Sequence, residues 1–167
     1  MTDQTVDVVV EIPKGSRNKY EFDHEHHVIR LDRRLFSATT YPGDYGFIPD
    51  TLGEDGDPLD ALILIEDPTF PGCWVETRVL GVFWMQDEAG RDAKIIGVAE
   101  NDPMRQELMH LDDVPRSILS EIEHFFNVYK MLEPGKKAET FGFEDRDVAL
   151  AEIGKARERA GSEETRS

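Results

Sequence analysis

The chain has 167 residues, a mass of 19.0 kDa and a formal charge of −16, from 19 Lys and Arg against 35 Asp and Glu. A content of 39% hydrophobic and 32% charged residues supplies a core and a soluble surface, which excludes disorder throughout, and the length suits one domain, expected over residues 1–160. The acidity disfavours nucleic acid as a partner because no run of Lys or Arg is long enough to reverse the field, and the longest apolar runs fall far short of the roughly 20 residues of a membrane span. No apolar leader follows Met1, and the single cysteine, Cys73, has no internal disulfide partner; both fit a cytoplasmic protein.

Val6 to Ile12 reads as a strand closed by Pro13 and Gly15. A hairpin is expected next, with strands over Lys19 to Asp23 and Val28 to Asp32 joined through His24, Glu25, His26 and His27. Tyr41 to Pro49 is rich in turn residues and ends in a short strand. Leu59 to Ile65, Cys73 to Met85 and Ala93 to Ala99 read as three further strands. Asp112 or Asp113 is expected to cap a helix with Pro115 in its first turn, whose apolar stripe runs from Ile118 through Ile122, Phe125 and Phe126 to Tyr129. A second helix is expected from about Asp147 to Ala160 with Gly161 as its stop, followed by a frayed, disordered tail over 161–167. This order predicts an α+β domain, a small antiparallel barrel with helices packed outside.

The densest chemical signal is Asp55-Gly-Asp-Pro-Leu-Asp60. Gly56 and Pro58 bend the backbone, so that three carboxylates converge, and crowded acids call for a hard divalent cation with oxygen ligands. A solvated acidic turn is the competing reading. An EF-hand fails because Asp60 stands where that loop requires Gly. A second acidic turn, Asp87 to Asp92, precedes Lys94. Taken singly, Lys19, Arg33, Lys94 and Lys130 read as surface cations, and Tyr45 and Tyr129 as core residues. The histidines at 24, 26 and 27 do not suit a closed zinc site: no Cys is near, and neighbours on an extended chain point to opposite faces.

Taken together, Glu11-Ile-Pro-Lys14, Asn18-Lys-Tyr-Glu21, Asp32-Arg33, Tyr41-Pro-Gly-Asp-Tyr-Gly-Phe47, Asp55 to Asp60, Asp87-Glu-Ala-Gly-Arg-Asp-Ala-Lys94 and His124-Phe-Phe-Asn-Val-Tyr-Lys130 resemble the soluble family I inorganic pyrophosphatases. The ordered match runs from Glu11 to about Lys137. The resemblance implies a five-stranded OB-like antiparallel β-barrel with flanking helices, and Mg²⁺-dependent hydrolysis of inorganic diphosphate to two orthophosphates. It implies a first metal on Asp55, Asp60 and Asp92, with Asp60 bridging to a second, and a third on Asp87 and Asp92. Glu21 and Glu11 would lie near a further metal or its waters. Lys19, Arg33, Tyr45, Lys94, Tyr129 and Lys130 would hold phosphate oxygens, and Asp57, or in another assignment Asp92, would accept the proton of the attacking water. Three to four Mg²⁺ per site, Mn²⁺ or Zn²⁺ as substitutes, Ca²⁺ as inhibitor and a homohexamer of two trimers complete the expectation. Actinobacterial-like members place a histidine matching His24 near the active site or subunit contacts, although a solvated turn is the simpler reading of His24, His26 and His27.

Overall fold

Runs of β-branched and aromatic residues become strands, and the residues that cannot continue a ladder end them. In the computed structural model, which describes residues 3–136 and 138–166, β1 (Thr5–Ile12) is such a run and stops at Pro13, which has no N–H to donate. Met1, Thr2, Lys137 and Ser167, which bound the expected domain, the quoted match and the expected tail, lie outside the described residues. The hairpin β2 (Asn18–Asp23) and β3 (Val28–Arg34) follows as expected. After it come β4 (Asp44–Phe47), β5 (Asp60–Leu64), β6 (Trp74–Asp87) and β7 (Gly90–Ala99). The last two form one long hairpin in which Asp87 faces Gly90, whose φ of +129° favours glycine.

The expected five-stranded antiparallel barrel is corrected by the pairing. The main sheet has six strands in the order β1-β4-β5-β7-β6-β8, with β1 also pairing β6, and β2 and β3 form a separate two-stranded sheet. It is a mixed sheet, because β5 and β7 run parallel while the other pairs are antiparallel. The parallel pair arises because β6 passes beyond its neighbour and the chain returns as β7 into the gap beside β5. Residues 61–64 of β5 are buried on both faces, which is why this strand is continuously apolar instead of alternating.

Helix α1 (Arg116–Val128) starts after Pro115. Asp112 and Asp113 lie in a separate 3-10 turn, where the Asp113 carboxylate accepts from the Met109 and His110 N–H groups instead of capping the helix. Strand β8 (Glu139–Asp145) is an addition to the expected elements. It pairs with β6 across a register shift opposite Gly142, whose φ is +87°. Helix α2 (Arg146–Glu164) passes the expected stop at Gly161 and continues to Glu164. Two apolar layers result. On one side Phe125, Phe126 and Tyr129 from the α1 region pack on Ile12, Tyr45, Leu62, Phe83 and Ile96; on the other, Ala149, Ile153 and Ala156 of α2 pack on Val8, Ile48, Ile63 and Ile95.

Candidate active site

A single cleft opens where the end of β1, the β2–β3 hairpin, β4, the loop before β5, the β6–β7 hairpin and the end of α1 meet. Its walls include Glu11, Lys19, Glu21, His24, Tyr45, Asp55, Asp57, Asp60, Asp87, Asp92, Lys94, Tyr129 and Lys130. Every site residue expected from the sequence except Arg33 is therefore brought together. Arg33 stands outside the lining: its guanidinium donates to the buried Glu133 through two nitrogens and, at 2.5 Å, to Asp32. Asp32 in turn accepts from Lys19 at 3.1 Å, linking the clamp to the cleft wall. Glu133 has no strong local signal; it lies 100 residues from its partner.

Lys94 is the centre of the cleft's electrostatics. The parallel register sets Asp60 opposite Lys94. The buried ammonium donates to Asp60 Oδ2 at 2.7 Å, to Asp92 Oδ2 at 2.8 Å and to the Tyr45 hydroxyl at 2.7 Å, matching three donors to three oxygens. Burial works against its charge, but Asp60, Tyr45 and Asp92 more than offset this and hold the ammonium well above its usual pKa. Tyr45 and Tyr129 are both buried in the core and exposed to the cleft through their lining positions, so the two readings of these tyrosines are compatible.

The acids are poised for a cation. Burial, reinforced by Asp60 and Glu21 and opposed by the Phe22 N–H at 2.7 Å, pushes Glu11 up to about 7. Burial and the charges of Asp92, Asp60 and Asp57 push Asp55 up to about 6. Asp92 is also raised, by burial first, although Lys94 pulls it back. Seven carboxylates against three lysines form an oxygen-rich set suited to hard divalent ions, yet among the described residues no group of three or more is already gathered tightly enough to hold an ion. The expected ligand sets share a cleft without forming a finished cage.

The raised acids have a consequence for stability. A carboxyl whose folded pKa lies above its unfolded value binds protons more strongly in the native state, so its contribution is greatest at low pH and is lost as pH rises through the folded value. From about pH 4, near the ordinary carboxyl values, to about pH 7, the raised value of Glu11, Glu11 and Asp55 should thus lower the stability of the metal-free protein. The loss is roughly 2 kcal/mol after allowance for their contact with water. Thermal melts across that range in the presence of a chelator provide the check, and Mg²⁺ should flatten the slope.

His24 also lines the cleft, its ring edge-on to Phe22 at 4.8 Å and Phe47 at 5.1 Å. His24 is exposed in the turn between β2 and β3, as the solvated-turn reading has it, and it also forms part of the cleft wall. His26 instead pairs with Asp23 at 2.8 Å, and His27 occupies the turn with φ 55°.

The family profile for inorganic pyrophosphatase matches residues 8–161. An inorganic pyrophosphatase of Streptomyces coelicolor is 56% identical over 147 residues, covering 88% of this chain and 90% of the relative. The crystal structure of the Thermus thermophilus inorganic pyrophosphatase superposes with a TM-score of 0.92 at 48% identity, over 95% of this chain and 92% of that one. That of Helicobacter pylori gives 0.93 at 40% identity, over 96% and 95%. The matched span contains every wall of the cleft from Glu11 to Lys130, and the chain belongs to the family I inorganic pyrophosphatases.

Proposed function

We propose that this cleft is where inorganic diphosphate, the substrate of this pyrophosphatase, is hydrolysed to two orthophosphates. The assignment is carried by the buried Lys94 ammonium, shared by Asp60, Asp92 and Tyr45 inside a wall of further acids and lysines. Such a mixture suits a substrate that is itself a polyanion carrying metal. Mg²⁺ would be held by Asp55, Asp60, Asp87 and Asp92, with Glu11 and Glu21 near a further ion or its waters, three to four ions in all. Mn²⁺ or Zn²⁺ would substitute. Bound divalent ions supply Lewis acidity, lowering the pKa of water and neutralising phosphate charge.

The chain's own groups supply the rest. Lys19, Lys94, Lys130, Tyr45 and Tyr129 orient the phosphates and stabilise charge gathering on the leaving one. Arg33 joins them by exchanging Glu133 and Asp32 for a phosphate oxygen pair. Asp57 accepts the proton of the attacking water. This choice over Asp92 is supported by the exposure of Asp57 at the cleft, whereas an oxygen of Asp92 is already engaged by Lys94. The reading extends to one catalytic domain over 1–160, a cytoplasmic setting with no nucleic-acid or membrane partner, and a homohexamer of two trimers. Exposed apolar side chains such as Leu31, Phe70 and Trp74 support self-association.

Phosphate release from diphosphate is expected to require Mg²⁺ and to be inhibited competitively by Ca²⁺. Ca²⁺ accepts the same oxygen ligands but at about 2.3–2.6 Å, against about 2.0–2.1 Å for Mg²⁺, and polarises water less. Initial rates against Ca²⁺ at several fixed Mg²⁺ concentrations test this. Full turnover with Ca²⁺ as the sole divalent ion would overturn the metal assignment.

A further inference from the structure

The ring that carries Asp55 and Asp57 is closed on itself and tied to the body of the protein through the residues at its two ends. Gly53 N–H donates to the Asp57 carbonyl at 2.7 Å, Gly56 N–H to the Gly53 carbonyl at 3.2 Å, and Asp57 N–H to Asp55 Oδ1 at 3.1 Å. On its β5 side, Leu59 N–H donates to the Thr51 hydroxyl at 3.0 Å. On its entry side the tether is Leu52, and both backbone polar groups of that residue are held by α2. Leu52 N–H donates to the Ala156 carbonyl at 3.0 Å, and the Leu52 carbonyl accepts from Arg159 at 2.7 Å.

Arg159 is itself oriented. A second nitrogen of its guanidinium donates to Glu152 at 3.2 Å, and Glu152 is buried two turns earlier on the same helix. Glu152 also lines a small space behind the cleft with Asp55, Pro58, Arg91 and Asp92. The planar guanidinium can serve both oxygens at once, one on the loop and one on the helix, which fixes their separation. A metal ligand on a loop must be placed closely for the ion to bind without a reordering cost, so the group that fixes the loop's entry acts on affinity without touching the ion.

We infer that Arg159 is a positioning residue for the site: through Leu52 it holds the entry of the ring from Gly53 to Asp57, and so the Asp55 carboxylate, where Mg²⁺ can use it. The inference rests on the reading of Asp55 as a metal ligand, and Asp55→Asn serves as its control.

The test is calorimetric titration of Mg²⁺ into metal-free protein without diphosphate, beside thermal melts in chelator, for wild type, Arg159→Met, Arg159→Lys and Asp55→Asn. Arg159→Met keeps the aliphatic stem and is expected to fold, to lose roughly tenfold in Mg²⁺ affinity, and to lower kcat at sub-saturating Mg²⁺ with little change in KM for diphosphate. Arg159→Lys keeps one donor but not the fork and should fall between. Wild-type Mg²⁺ affinity in Arg159→Met, with affinity weakened in Asp55→Asn, overturns the role of Arg159 alone. Undiminished affinity in Asp55→Asn overturns the ligand assignment, and the role of Arg159 with it. Should Arg159→Met not fold, Arg159→Lys decides: a few-fold loss supports the inference, and unchanged affinity overturns it.

Discussion

An Asp60→Asn protein is expected to fold and to hydrolyse diphosphate roughly 10³-fold more slowly or worse. Asp60 opens β5, and its Oδ2 accepts from Lys94 at 2.7 Å. The amide oxygen of Asn can still accept that hydrogen bond, and Lys94 keeps Asp92 and Tyr45, so the fold has little reason to fail. What is lost is a negative charge in the middle of the proposed ligand set. Turnover at saturating Mg²⁺, compared with the melting temperature in chelator, separates the two effects. Near-normal turnover in a folded Asp60→Asn protein would refute the proposed bridging role.

The second large effect is expected from Lys94→Met. Removing the ammonium leaves the mostly buried Asp92 without the cation at hydrogen-bond distance and strips Tyr45 of its donor. Breaking a buried pair from one side costs about 3–5 kcal/mol, and the lower end applies here because Asp60 keeps contact with water. Loss of a group that stabilises developing phosphate charge should also lower kcat by about 10²–10³. Mg²⁺ should raise the melting temperature of Lys94→Met more than that of wild type, since it replaces the missing positive charge. An unchanged melting temperature in chelator would show that the ammonium does not offset the crowding of Asp60 and Asp92.

Both effects depend on a contact that local pattern does not reveal. The run of acids from Asp55 to Asp60 and the turn from Asp87 to Asp92 are legible as separate clusters, the first with a competing reading as a solvated turn. Their union in one cleft comes from β7 entering beside β5, which sets Asp60 against Lys94 in parallel register. Alternation and turn residues report which side of a strand is apolar and where the chain reverses. They do not report which edge a strand will choose.

The same distinction explains the elements that local pattern misses or misplaces. The spacing of Phe141 and Phe143 is the period of a strand, but Gly142 at φ +87° interrupts the pattern, and only the long edge of β6 gives the segment a partner. Gly161 has no structural demand for the left-handed region that would make it a stop, and α2 continues through it to Glu164. His24 stays in the exposed turn that the sequence predicts, and only the fold adds its contact with the Phe47 ring on another strand.

Local periodicity, turn chemistry and residue identity, all of which a linear chain carries, are enough to place the strands from β1 to β7 to within a few residues and to find both helices. They also pick out the two acidic clusters that reach the cleft and, through seven ordered blocks, the family, whose resemblance is what adds the lysines. The mixed pairing of the sheet, the clamp of Glu133 on Arg33 and the hold of Arg159 on the acidic ring come from the folded molecule alone. Each of those joins groups far apart in the chain, and each forms because burying two apolar layers brings particular edges and side chains together, a choice made by the whole fold and by no single segment.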